Sequence, residues 1–312
     1  MPMTSRATRF AACDVGTNGV RMQVWQAMES RGEDHLVPEA GYRVPIRLGE
    51  DVFSSGSISK TSASHLIHSF KAFAELSEVF GPRSLRAVAT SAMRDAKNGL
   101  ELAEQVRSES GIRLEIIDGQ EEAALSLLAH TADPELSRGL RLCVDVGGGS
   151  TQLSLLREGK AVRRESFQIG AVRLLEDRVD DREWDRLREW LEDIPQDSVP
   201  EDGVAVGGNA EKLLDLAGGK DRDMTRKELH RLWDDLAALS VEDRILEYNL
   251  KPDRADVIVH AAHIFYQSFK WLDVKTFAVP GTGIREGMAV DMFRKSFQRT
   301  PLLPSTLRKG GG

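Results

Sequence analysis

The 312-residue chain is short of the residues that mark several common architectures. It holds two cysteines, Cys13 and Cys143, each inside an apolar strand-like run. That setting suits buried thiols and leaves neither a disulfide framework nor a zinc cluster. No uninterrupted apolar run nears the roughly 20 residues that a bilayer demands, and the first ten residues lack the apolar core of a secretory signal. No membrane partner and a cytoplasmic setting are therefore expected. Positive charge is not in excess: 42 Lys and Arg against 49 Asp and Glu give −7. Nucleic-acid coating by bulk charge is thereby disfavoured, and no nucleic-acid partner is expected; a placed basic groove is still allowed. Aromatic residues are only 6% of the chain. Trp184, Trp190, Trp233 and Trp271 fall in amphipathic helical stretches, where packing is the commoner use. His65 with His68 and His260 with His263 share an i, i+3 spacing but have no evident third ligand, so no metal site is assigned to them.

What is present is a globular composition, 41% hydrophobic and 29% charged, at a length that suits two domains with separate cores. The patterning divides the chain into 1–132, 133–299 and a frayed tail at 300–312. Arg9 to Asp14 and Val20 to Trp25 read as strands around a tight turn. Leu66, Ile67, Phe70, Phe73 and Leu76 recur at helical spacing, and Gly81-Pro82 ends that helix before the strand Leu85 to Ala89. A helix is expected from Met93 to about Ser108, a strand over Leu114 to Ile117 and a helix from Glu121. The second half opens likewise, with Leu140 to Asp145 and Gln152 to Leu156 as strands around four small residues. Helices near Thr225 to Leu239 and Arg254 to Leu272, a strand at Thr276 to Val279 and a final helix from about Arg285 complete the reading. Thr225 with Glu228 forms a capping box.

Set side by side, Ala12-Cys13-Asp14-Val15-Gly16-Thr17-Asn18 and Val144-Asp145-Val146-Gly147-Gly148-Gly149-Ser150-Thr151 are two versions of one device. Each puts an aspartate at a strand end and then glycine and hydroxyl groups in a hairpin turn. Glycine lets several backbone N–H groups approach one phosphate, and Thr17, Asn18, Ser150 and Thr151 add donors. A Walker loop does not fit, since its lysine is absent. A dinucleotide fingerprint does not fit either, since Leu153 and Leu155 continue as strand after the glycines. One such loop per domain predicts two phosphate loops facing across a cleft.

These segments carry a family resemblance. Asp14 to Asn18 with Arg21, Ala89 to Arg94, Gly119 to Ala123, Asp145 to Thr151, Gly170 to Leu174, Pro252 to Asp256 and Gly281 to Gly287 resemble, in that order, the motifs of the Ppx/GppA phosphatases. The resemblance spans about residues 9 to 290. It implies an α/β, two-domain actin and hexokinase-like fold, with duplicated mixed sheets flanked by helices around an interdomain cleft, in the compact form without added helical domains. It also implies hydrolysis of a terminal phosphoanhydride, in inorganic polyphosphate or in guanosine pentaphosphate (pppGpp); no guanine-reading motif is evident, so polyphosphate is expected to be preferred. Dimers are common in the family, so a homodimer enters as an expectation on that ground alone. Gly19, where the family usually has serine, Asn209, where threonine is common, and His260 depart from the pattern.

The second glutamate of the Gly-x-x-Glu-Ala motif, Glu122, is implied as the base that activates water; Glu121 beside it would point about 100° away on a helix. Asp14 and Asp145 are expected to hold Mg²⁺, a hard cation that prefers carboxylate oxygen. Gly16, Thr17, Asn18, Gly147, Gly148, Gly149, Ser150, Thr151 and Gly208 are expected to cradle phosphate. Arg21, Arg94, Arg173 and Arg285 are expected as forked clamps. Two other readings stand beside this one: an ATP-dependent kinase on the same fold, and a silent sensor that binds the same polyanions without turnover.

Overall fold

A computed structural model describes residues 7–131, 136, 138–219 and 222–303. Its first sheet has five strands, β1 (Arg9–Val15), β2 (Val20–Ser30), β3 (Glu33–Val44), β4 (Ser84–Ala89) and β5 (Leu114–Ile116), in the order β3-β2-β1-β4-β5. The second sheet has β6 (Leu140–Val146), β7 (Thr151–Arg157), β8 (Lys160–Phe167), β9 (Asp202–Val206), β10 (Asp223–Thr225) and β11 (Thr276–Ala278), in the order β10-β11-β9-β6-β7-β8. In both, a hairpin and a third antiparallel strand precede a helical crossover to a parallel neighbour: β1 pairs antiparallel with β2 and parallel with β4, and β6 does the same with β7 and β9. This is the duplication that the two loops implied, with the mixed sheets that the family resemblance implied.

The central strands are buried on both faces, as a sheet with helices on either side requires. Cys13, Val15, Met22 and Val24 pack with Leu66, Phe70 and Phe73, while Phe10, Ala12 and Trp25 turn the other way onto Met288 and Phe293. Strand β3 was not expected. It is an edge strand with Pro38 in it and a register shift opposite Val24/Trp25, so it lacks the clean alternation of a half-buried strand.

Three expectations are corrected. The long helix from Met93 is two helices, Ser91–Asp95 and Gly99–Ser110. They part because Asn98 turns its amide to Ile58, accepting from its N–H at 2.9 Å and donating to its carbonyl at 2.9 Å. The stretch Arg254 to Leu272 likewise divides into Pro252–Ala255 and Ile258–Trp271. The tail is anchored through residue 303: Leu302 exchanges backbone hydrogen bonds with Asp34 and Leu36 beside β3, and Leu303 is buried. The expected division at 132/133 and the remainder of the tail lie outside the described residues. Chain order would group helix Ile284–Phe297 with the second sheet, but it packs against helix Gly119–Thr131 and β1 of the first half. No helix among the described residues is long and apolar enough to cross a membrane.

Candidate active site

The two hairpin loops meet at the distance of backbone contact. A Cβ on Gly148 would stand 2.8 Å from Thr17 Cβ, and one on Gly149 would stand 2.3 Å from Ser91 Oγ and 2.9 Å from Thr17 Oγ1. Only glycine allows this approach, which is the reason for glycine in the second loop. The loop is braced from behind, where Val172 and Arg173 donate their backbone N–H groups to Gly148 O at 2.8 and 3.0 Å. The resulting cleft is walled by Asp14 and Gly16 to Gly19 on one side and Asp145 to Ser150 on the other, with Glu122, Gly208 and Arg285 also on its surface.

Four arginines crowd one end of this cleft: Arg21, Arg43, Arg254 and Arg285. Arg21 and Arg43 sit opposite each other in the β2–β3 register, a like-charge pairing that is unfavourable unless an anion bridges it. Arg21 Nη1 lies 3.5 Å from Asp14 Oδ2, Arg43 pairs with Asp253, and Arg254 donates to Gly208 O. Burial pushes the Arg254 guanidinium down to about 10, and Arg21 and Arg43 push in the same direction. Arg21 is lowered too, by burial first and then by Arg285. Asp14, Asp253 and Glu211 offset part of this charge, and the four guanidinium groups together still form a cluster suited to an anion.

The opposite imbalance holds a short distance away. Glu122 lies in the first turn of helix Gly119–Thr131, its side chain mostly buried, and Oε2 has no hydrogen-bond partner among the described residues. The nearest cation is Arg94, with Nη1 at 3.7 Å. Burial, and then Asp145, push the Glu122 carboxyl from 4.5 up to about 8. Asp145 accepts a hydrogen bond from Ser126 Oγ at 2.7 Å and is still pushed up to about 6, chiefly by burial. Asp14 is buried beside them. Glu121, one residue earlier, points out of the cleft to Arg86 at 2.6 Å.

This crowding has a consequence for stability. A carboxyl whose folded pKa is raised binds its proton more tightly in the folded state, so stability falls as pH rises from its ordinary value to its folded one. For Glu122 that window runs from 4.5 to about 8. Cation-free protein should therefore melt at a lower temperature at pH 8 than at pH 6, and Mg²⁺ should raise the midpoint more at pH 8. If Asp145 is one of the expected Mg²⁺ ligands, the shift should shrink in Asp145→Asn, where a neutral amide replaces the carboxylate. Thermal denaturation with and without Mg²⁺ checks this; an equal shift in both proteins would remove Asp145 from the cation site.

The expected residues are not all brought together. Asp14, Gly16, Thr17, Asn18, Arg21, Glu122, Asp145, Gly147, Gly148, Gly149, Ser150, Gly208 and Arg285 line the one cleft. Thr151 does not: it is fully buried and its Oγ1 donates to Ile169 O at 2.6 Å. Arg173 is engaged elsewhere, with Nε donating to Gly149 O at 2.9 Å, Nη2 on Asp95 at 2.6 Å and the guanidinium over the Phe53 ring. It braces the loop from outside. Arg94 donates to Ile117 O at 2.9 Å and faces a neighbouring hollow rather than the cleft wall. Arg254 and Arg43 line the cleft where these two do not. Arg254 was available in the segment Pro252 to Asp256; Arg43 had no local signal, because it stands on the strand that the pattern concealed.

Comparison with known proteins places this cleft in a wider setting. The family model described as "Ppx/GppA phosphatase family" matches residues 33–296. Exopolyphosphatase 1 of Mycobacterium tuberculosis is 30% identical over 96% of this chain and 92% of its own length. The guanosine-5'-triphosphate,3'-diphosphate pyrophosphatase of Vibrio campbellii is 27% identical over 94% of this chain, which spans only 61% of that protein. The crystal structure of the Aquifex aeolicus Ppx/GppA family member superposes with a TM-score of 0.74 at 25% identity, covering 93% of this chain and 99% of that one. With the match running through nearly all of the chain in both sequence and fold, the protein belongs to the Ppx/GppA phosphatase family.

Proposed function

We propose that the protein is an Mg²⁺-dependent exopolyphosphatase that releases the terminal phosphate of inorganic polyphosphate. The observation that carries this reading is the pairing of opposites in one cleft: a buried Glu122 whose Oε2 accepts no hydrogen bond and has Arg94 3.7 Å away, and a cluster of four arginines. Hydrolysis of a phosphoanhydride needs a cradle for the transferred group, positive charge on its oxygens and a carboxylate that orients water. The loop N–H groups of Thr17 and Asn18 and of Gly148 to Ser150 provide the cradle, while those of Gly16 and Gly147 close the turns on Gly19 O and Ser150 O, and Arg21, Arg254 and Arg285 provide the fixed positive charge. Glu122 Oε2 orients the attacking water and accepts its proton, and its raised pKa suits a base working near neutral pH.

Asp14 and Asp145 fit a Mg²⁺ ion, because that ion keeps several waters and takes only one or two carboxylates beside substrate phosphates. Among the described residues no group of three or more His, Cys, Asp or Glu forms an all-protein cage, so a shared, substrate-completed site is what these residues support. When bound, the ion neutralises charge on the phosphoryl oxygens.

Hydrolysis of pppGpp uses the same parts, and the Vibrio campbellii relative carries that activity in its name. Polyphosphate is favoured because the cleft walls carry small, aliphatic and charged side chains and no aromatic ring among the described residues, where a guanine would need a flat apolar wall. Phosphate release from polyphosphates of defined length and from pppGpp, at one ionic strength with Mg²⁺, tests the choice. The specificity constant should be higher for polyphosphate. A higher value for pppGpp than for every polyphosphate length would overturn it.

A further inference from the structure

Ser126 stands four residues after Glu122 on helix Gly119–Thr131, a spacing that puts both side chains on one face of that helix. Serine inside a helix commonly returns its hydroxyl to the carbonyl four residues back, and Ser69, Ser77, Ser110 and Ser268 all do so. Among the described residues Ser126 makes no such bond. It is buried, and its Oγ donates instead to Asp145 Oδ2 at 2.7 Å, from the first half of the chain to β6 in the second. We infer that Ser126 is a positioning residue, which holds the Asp145 carboxylate in the orientation that receives Mg²⁺. The inference rests on the proposed cation site at Asp145 and adds the residue that orients it.

The two oxygens of Asp145 have separate surroundings. Oδ2 is taken by Ser126 Oγ, while Oδ1 faces Gly207, where a Cβ would stand only 3.3 Å away. Gly207 lines the cleft together with Asp145, so the oxygen left free is on the side open to a cation and its phosphate ligands. A carboxylate that gives one oxygen to a hard cation is oriented by what holds the other; untethered, its broad terminal torsion lets either oxygen swing into the site. Among the described residues no other hydrogen bond or ion pair reaches the Asp145 carboxylate, so this orientation depends on Ser126. The anchor is itself firmly placed. Leu125, the preceding residue, is where the backbone of this helix is crossed closely by Gly287 of helix Ile284–Phe297.

The test is Ser126→Ala, which removes the hydroxyl and leaves a good helix former in its place. The Mg²⁺ dissociation constant, read without substrate from the rise in melting temperature across a Mg²⁺ titration, should increase by about tenfold. In phosphate release from polyphosphate the apparent KM for Mg²⁺ should rise likewise, with kcat at saturating Mg²⁺ within about threefold of the unmutated value. Ser126→Thr keeps a hydroxyl and should recover most of the affinity. An unchanged Mg²⁺ dissociation constant in Ser126→Ala, or an undiminished loss in Ser126→Thr protein that melts as high as the unmutated one, would overturn the positioning role. Asp145→Asn tells the two readings apart: if it weakens Mg²⁺ binding and Ser126→Ala does not, the role of Ser126 alone falls, and if neither does, the cation site at Asp145 falls with it. A tenfold loss of Mg²⁺ binding in Ser126→Ala, from a protein that releases no phosphate from polyphosphate, would uphold the positioning and reject the exopolyphosphatase reading instead.

Discussion

Glu122→Gln should lower turnover on polyphosphate by about 10²–10⁴-fold while leaving KM nearly unchanged. The substitution keeps the volume of the side chain and removes its ability to take a proton, so the loss belongs to the chemical step. Glu122 has few other duties to confuse the result: its Oε2 accepts no hydrogen bond, and Arg94 stands 3.7 Å away. The buried carboxylate is held ready at a cost to stability, so the amide should also raise the melting temperature above pH 8, where the unmutated side chain is charged. Glu121→Gln is the control. It removes one contact of Arg86, which Glu115 and Asp291 also approach, and should leave activity within about twofold. Equal losses in the two variants, or an active Glu122→Gln, would dismiss Glu122 as the base.

Much of this arrangement was legible because it is written locally. An aspartate, glycines and hydroxyl residues between two alternating apolar runs specify a strand-turn-strand, and the repetition of that unit at Asp14 and Asp145 specifies a duplicated fold. The capping box at Thr225 and Glu228 was equally readable, and the hydrogen bonds that define it are present. What was not legible depends on contacts between distant segments. Arg43 reaches the cleft through pairing of β3 with β2, a register that no local pattern announces at an edge strand holding Pro38. Arg173 and Arg94 sit in motif segments beside the loops, yet their guanidinium groups are taken up by Gly149 O, Asp95 and Ile117 O. Sequence position next to a phosphate loop does not say which way a long side chain turns. The departure at Gly19 gains a physical reason in the same way. A Cβ there would stand 3.3 Å from Val44 O, a backbone atom, and 3.3 Å from Arg43 Nη2, so the position is tight against β3.

The largest effect on stability should come from Gly287→Ala. Gly287 lies within helix Ile284–Phe297, where glycine normally costs about 1 kcal/mol relative to alanine, so a helix considered alone would gain from the change. Packing reverses the sign. A Cβ on Gly287 would stand 1.6 Å from the backbone oxygen of Leu125 and 2.5 Å from its carbonyl carbon, and backbone cannot swing aside as a side chain can. The two helices must part by on the order of 2 Å to restore ordinary contact. Overpacking of this kind costs about 1–3 kcal/mol or more, and here it also loosens Met288, Val290 and Phe293 from Phe10 and Trp25. A net loss of about 2–4 kcal/mol should lower the melting temperature by roughly 5–10 °C. Activity should fall with it, because Leu125 is on the helix that carries Glu122 and Gly287 is on the helix that carries Arg285; moving them apart widens the cleft from both sides. A displacement of about 1 Å at reacting groups can cost 10²-fold in rate, so kcat should drop even in protein that remains folded at the assay temperature. Gly283→Ala separates this cause from a general intolerance of the segment. Its backbone is extended, its nearest neighbour to a new Cβ is 3.9 Å away, and it should melt within a degree or two of the unmutated protein. A Gly287→Ala protein that melted as high as the unmutated one would show that the helices tolerate separation and that the close crossing does not position Glu122.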